Sequence, residues 1–205
     1  MIRRTALILS YLFQPLVVPS LIFLFLLFPV PQVTGLSLVE KSFVLLMIFL
    51  TTFIIPIFSL IAMRLTNKIS SFHMESKEDR LFPFTMVTGF YIFSTYLFHT
   101  KFKLEPIFVQ TLATISICLV IMTGVTFFWK ISAHMTGISG FLAIISVTIL
   151  KFSDYGLLYY FLGIILLTGV IASSRLYLNA HTPLEVLGGF LLGFTVCFGA
   201  FWFIL

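Results

Sequence analysis

Charge is what this chain has least of. Of its 205 residues, 12 are Lys or Arg and 7 are Asp or Glu, so 9% are charged, where a soluble domain carries roughly a quarter. Hydrophobic residues make up 60% of the chain, and the mean hydropathy is +1.16. One globular core cannot hide that much apolar surface, so the implied solvent is a bilayer and the chain reads as an integral membrane protein. The net charge of +5 reflects scarce acids. No basic run suited to a phosphate backbone is present, which argues against a nucleic-acid partner. Cysteine is nearly absent: Cys118 and Cys197 each sit inside an apolar run, read as small buried hydrophobes, and say little about redox compartment. Repeats and low-complexity linkers are missing too, so residues 1–205 count as one domain. After Arg3 and Arg4 the apolar stretch runs to about Phe28 with no small-residue cleavage site, so it is expected to be a membrane span rather than a signal peptide.

What the chain does have is length of apolar run, and 26 phenylalanines to pack it. A crossing helix needs about 20 mostly apolar residues. That criterion predicts spans near 5–28, 42–62, 81–99, 105–128, 135–151, 155–172 and 184–204. The fold class is therefore all-α, a polytopic transmembrane helical bundle of about six to seven spans. Runs 135–151 and 155–172 are short enough to be tilted or partly re-entrant. Pro15, Pro19 and Pro56 should bend or interrupt their helices, while GFLAI and LGGFLLG offer small residues for close helix approach.

The breaks at 64–80, 129–134 and 173–183 are separated by even numbers of predicted crossings and share one membrane face. That face collects His73, Lys77, Arg80, Lys130, Ser132, His134, Arg175, His181 and Glu185, with Glu75, Glu78 and Asp79. The other face has Glu40, Lys41, Lys101, Lys103, Glu105, Lys151 and Asp154, which read as boundary charges.

In SSRLYLNAHTPLE, residues 173–185, His181 and Glu185 are four apart at the start of a helix and can share a face. A carboxylate accepting imidazole Nδ1–H would leave Nε2 to act as nucleophile. Arg175 offers a donor fork for phosphate oxygens. A purely structural reading stands beside this one. Thr182-Pro183-Leu184-Glu185 fits a capping box with Pro at the first helical position, and His181 and Arg175 would then be interfacial side chains. In KISAH, Ser132 can cap a helix whose first amides favour an anion, with His134 beside it as acid or base. The plain alternative is a Ser cap followed by an interfacial His. In the segment from His73 to Pro83, Lys77 and Arg80 lie one turn apart and could clamp an anion, or belong to a solvated loop of mixed charge. Together the three breaks supply cationic donors, a positioned imidazole and a second imidazole for the leaving group, the equipment of phosphoryl transfer through histidine.

These residues resemble the type-2 phosphatidic-acid phosphatase family, which shares its active-site plan with vanadium haloperoxidases. Its blocks are K-x6-R-P, P-S-G-H and S-R-x5-H-x3-D. Ser174, Arg175 and His181 match the third block at its spacing, with Glu185 in place of Asp. Ser132 and His134 match the second, with Ile131 for Pro and Ala133 for Gly. The first departs most: Arg80 can be its arginine, but His73 stands seven before it, Lys77 only three before, and the proline comes at Pro83. The resemblance covers about residues 73 to 190.

It implies a mechanism with no metal and no cofactor. His181 attacks phosphorus, Glu185 orients it, and His134 protonates the leaving oxygen and then activates water. Arg175, Arg80, Lys77, Ser132, Ser174 and the Ala133 amide hold the phosphate, with His73 and Lys130 as further candidates. A site at the mouth of a membrane bundle suits a membrane lipid phosphate: phosphatidic acid, phosphatidylglycerophosphate, a polyprenyl diphosphate or a lipid A phosphate. The expected setting is the bacterial inner (plasma) membrane. Eight Lys/Arg on the active face against four on the other favour a cytoplasmic site, whereas the resemblance favours an outward-facing one. Rival functions are a lipid phosphotransferase, a non-catalytic lipid-phosphate binder and an anion transporter. The last would need ionisable residues at mid-membrane depth, and almost none occur there.

Overall fold

The computed structural model describes residues 2–30, 32–68 and 78–205, and every regular element among them is helical. Six helices are long and apolar enough to cross a membrane: Leu38–Leu65, Asp79–Thr100, Pro106–Thr126, Ala133–Phe152, Tyr155–Tyr177 and Pro183–Ile204. The protein is thus an integral, multi-pass membrane protein. The two runs that looked short in the sequence form 20- and 23-residue helices.

The expected first span over 5–28 is not one helix. It divides into α1 (Ile2–Leu12) and α2 (Val18–Leu27), and Pro15 is the cause. Gln14 precedes a proline and is disfavoured in helical conformation, and Pro15 itself has no N–H to donate. At ten residues, α2 is about 15 Å long, too short for a hydrocarbon core about 30 Å thick. Its Phe23, Leu26 and Leu27 are fully buried.

The next helix runs as α3 (Leu38–Phe49), a π turn over Leu50–Ile54, and α4 (Ile55–Leu65). Pro56 explains the irregularity. Lacking an N–H, it cannot bond the carbonyl of Thr52 four residues back, and in hydrocarbon an orphaned carbonyl costs several kcal/mol. The Tyr91 hydroxyl, on α5 (Glu78–Thr100), donates to Thr52 O at 2.9 Å, and both residues are buried, at 1% and 0% exposure. A proline's missing donor is thereby replaced from a neighbouring helix.

Two compact units follow from the packing. One comprises residues 19–130. In it α5 and α6 (Pro106–Thr126) pair through hydroxyls, buried Thr88 with Thr123 at 3.1 Å and half-buried Thr95 with Ser116 at 3.2 Å. Phe23 of α2 meets Phe108 of α6 with ring centroids 6.0 Å apart.

The other unit joins the N-terminal residues through 18 to residues 131–205. Its centre is α7 (Ala133–Phe152), flanked by α8 (Leu158–Tyr177) and α9 (Pro183–Ile204), with α1 packed on α8. Helices α7 and α9 approach through glycine. A Cβ at Gly189 would lie 2.5 Å from Ser132 O, and one at Gly193 would collide with Thr136 O and Ser139 Oγ. These are the outer glycines of GFLLG in α9, so the small-residue run acts as the sequence suggests. The hydroxyls that α7 buries, Thr136, Ser139 and Thr148, bond back to its own carbonyls, which keeps a polar helix tolerable in an apolar surround.

Candidate active site

Third-block geometry begins with how α8 ends. Asn179 adopts a left-handed φ of 51°, Ala180 N–H donates to Arg175 O at 3.1 Å, and Asn179 N–H to Leu176 O at 3.0 Å. This is a Schellman turn with Asn where Gly is usual. The five residues between Arg175 and His181 are therefore the last turn of α8 and its reversal. That spacer carries His181 back beside the helix end that bears Arg175.

Helix α9 starts at once. Thr182 is its N-cap and Pro183 opens the first turn; Glu185 N–H donates to Thr182 Oγ1 at 3.4 Å and Thr182 N–H to Glu185 Oε2 at 3.2 Å. The same Oε2 lies 2.9 Å from His181 Nδ1. A carboxylate oxygen only accepts, so Nδ1 carries the hydrogen in this contact, which in the neutral ring leaves the lone pair on Nε2. The capping box and the orienting carboxylate, alternatives in the sequence, are one arrangement. Glutamate suits it, because its longer arm folds back over the first turn. The His181 side chain is 2% exposed and that of Glu185 15%.

Ser132 ties the second block to the third. Its N–H donates to the carbonyl of Glu185 at 3.1 Å, fixing the start of α7 against the first turn of α9. Ser132 occupies the N-cap position expected for it, but its hydroxyl makes no capping bond. It is fully buried, and among the described residues its Oγ is one of three buried polar side-chain atoms without a partner; Arg175 Nε and Ser20 Oγ are the others. Leaving such atoms unmatched costs about 1–3 kcal/mol each. Two of the three belong to the proposed phosphate-binding set, and both suit an anionic oxygen.

The remaining residues stand as follows. Ala133 is the first residue of α7 and His134 the second, with His134 Nε2 3.0 Å from the carbonyl of Ser10 in α1. Ser174 is buried and its hydroxyl donates to Val170 O at 2.8 Å, within α8. Arg80, 6% exposed, lies in the first turns of α5, and Lys130 just ahead of the α7 cap; both belong to the 19–130 unit. His73 and Lys77 lie outside the described residues. The Ser10 carbonyl is the contact that sequence reasoning missed. Every residue has a carbonyl, and the only trace of this one is Pro15, which ends α1.

Comparison with known proteins adds a family to this geometry. No curated protein and no solved structure matches the chain. A family model does match, over the segment that holds Ser132, His134, Arg175, His181 and Glu185: residues 127–205 carry the pattern of the PAP2 superfamily.

Proposed function

We propose that the protein is a membrane lipid phosphate phosphatase working through a phosphohistidine on His181. The superfamily match supports phosphatase-type activity. The observation that carries the finer reading is the part-buried His181–Glu185 pair at 2.9 Å, joined through Ser132 to a site whose Ser132 Oγ and Arg175 Nε have no protein partner. His181 Nε2 attacks phosphorus in line, and the bond to the lipid oxygen breaks as His134 gives that oxygen a proton. Glu185 stabilises the imidazolium that develops. Water then attacks the phosphohistidine, His134 takes its proton, and the N–P bond breaks to release phosphate. Arg175, the Ser132 hydroxyl and the Ala133 amide hold the phosphoryl oxygens; Ser174, Arg80, Lys77, His73 and Lys130 enter this set from the sequence alone.

The substrate is a lipid phosphomonoester or diphosphate, its phosphate at headgroup level and its tail in the bilayer of the bacterial inner membrane. The test is phosphate release by purified protein from phosphatidic acid, phosphatidylglycerophosphate, undecaprenyl diphosphate and lipid A, with a chelator present. Chelator-resistant release that His181→Ala abolishes while lipid binding persists is the expected result. Transfer of the phosphoryl group to a second lipid instead of water identifies a phosphotransferase. Lipid binding without turnover identifies a binder.

A further inference from the structure

Helix α1 lies outside the segment that carries the family pattern, yet it reaches a proposed catalytic side chain. His134 Nε2 is 3.0 Å from Ser10 O, across 124 residues of sequence. A carbonyl oxygen only accepts, so Nε2 carries a hydrogen in this contact. The carbonyl is available because α1 stops. Its last ladder bond is Phe13 N–H to Leu9 O, and Gln14, ahead of Pro15, turns out of the helix. Ser10 is itself held, 7% exposed with its hydroxyl on Ala6 O at 2.9 Å. Just past the break, Val18 Cγ2 lies 3.3 Å from where a Cβ on Gly137 would be, one turn along α7 from His134. The last turn of α1 and the first residue of α2 thus rest on the first turns of α7.

We propose that the Ser10 carbonyl is a positioning group for His134, fixing the ring and its Nε2–H form so that Nδ1 exchanges protons with the substrate. The inference rests on the phosphatase reading above. In the first step the imidazolium gives its Nδ1 proton to the lipid oxygen as the P–O bond breaks, leaving a neutral ring with Nε2–H on Ser10 O. In the second step water attacks the phosphohistidine and its proton passes to Nδ1 as the N–P bond breaks. In both steps the carbonyl steadies the charged ring, as a carboxylate would at lower strength.

The test uses the full-length chain and the panel lipid that it hydrolyses fastest. His134→Nδ1-methylhistidine blocks Nδ1 and, in its neutral form, also leaves Nε2 without a hydrogen for Ser10 O; turnover should fall at least about a hundredfold, the scale of a lost general acid. A backbone ester at Tyr11 weakens the Ser10 carbonyl as an acceptor and should lower kcat about tenfold with KM unchanged. The same ester at Leu9 removes an equivalent helix bond and should leave kcat within about twofold of wild type. Nitrogen-15 histidine spectra, with His134 assigned through His134→Gln, should show the Nε2–H form in the wild type. Full turnover by the methylated variant, a silent Tyr11 ester, equal losses from both esters, or an Nδ1–H spectrum overturns the inference and leaves the phosphatase reading intact. A wild-type chain that hydrolyses no panel lipid removes that reading and this inference with it, whatever the spectra show.

Discussion

Glu185 Oε2 receives the imidazole Nδ1–H of His181 at 2.9 Å and the backbone N–H of Thr182 at 3.2 Å. The two duties respond differently to substitution. In Glu185→Gln the amide oxygen can still close the capping box, so stability should drop by less than about 1 kcal/mol. The charge that favours an imidazolium is gone, so kcat should fall by up to about 10⁴-fold, the loss seen when a catalytic histidine loses its orienting carboxylate. Thermal unfolding and lipid turnover of one preparation measure both. Ser132 gives effects of opposite sign. Its hydroxyl is buried without a partner, so Ser132→Ala should leave the fold unchanged or more stable by about 1 kcal/mol. The same change should weaken inhibition by inorganic phosphate or vanadate several-fold, which a competition assay reads. A Ser132→Ala chain that is destabilised and binds phosphate as before would show that the hydroxyl is structural.

Elements explain why the spacing of these residues matters. The Schellman turn at Asn179 sets the distance from Arg175 to His181, and the contact of Gly189 with Ser132 O sets α9 against α7. Asn tolerates left-handed backbone where a β-branched residue does not. Asn179→Val should therefore cost about 1–2 kcal/mol and reduce turnover beyond what the stability loss explains, since it displaces Arg175 from the proposed nucleophile, His181; Asn179→Gly should retain both. In the other unit, Tyr91→Phe leaves Thr52 O unmatched in an apolar surround and should destabilise the protein by about 1–3 kcal/mol, read by thermal unfolding in detergent. The same elements show what the sequence disclosed. Apolar run length located all six spanning helices, each end to within about five residues. It extended the first run through Pro15, because hydropathy is blind to a missing N–H. LGGFLLG signalled close packing, and the T-x-x-E pattern signalled the cap. The partner of Ser132 N–H, the Thr52 carbonyl under Tyr91 and the Ser10 carbonyl under His134 were not legible, since backbone acceptors carry no side-chain signature and meet their donors only after folding.

For the whole molecule, the lipid-facing surface follows from composition. Exposed Tyr155, Tyr159 and Trp202 gather at the end of the 131–205 helices away from His181, where amphipathic rings favour the interface. Lys151 lies over the Trp202 ring at 4.6 Å, and Phe190, Phe194, Phe198 and Trp202 stack along α9 at four-residue intervals. The polar chemistry sits at the other end, where the starts of α7 and α9 meet. This asymmetry suits the proposed lipid phosphate substrate, whose headgroup would meet the polar end and whose tail would lie along apolar helix faces. Cys118 and Cys197 are both buried, so cysteines introduced at Asn179 and Ser153 should report the two faces cleanly. Membrane-impermeant reagent should reach one of them from outside and the other only after permeabilisation. The account turns on covalent attachment of phosphate to His181. The most direct measurement is rapid quenching of the wild-type protein turning over a lipid labelled with ³²P in its phosphate, followed by mapping of the label. An acid-labile, base-stable phosphoryl group on His181, absent from His181→Ala, is the predicted result. Steady turnover with no label on the protein, or label on another residue, would contradict it.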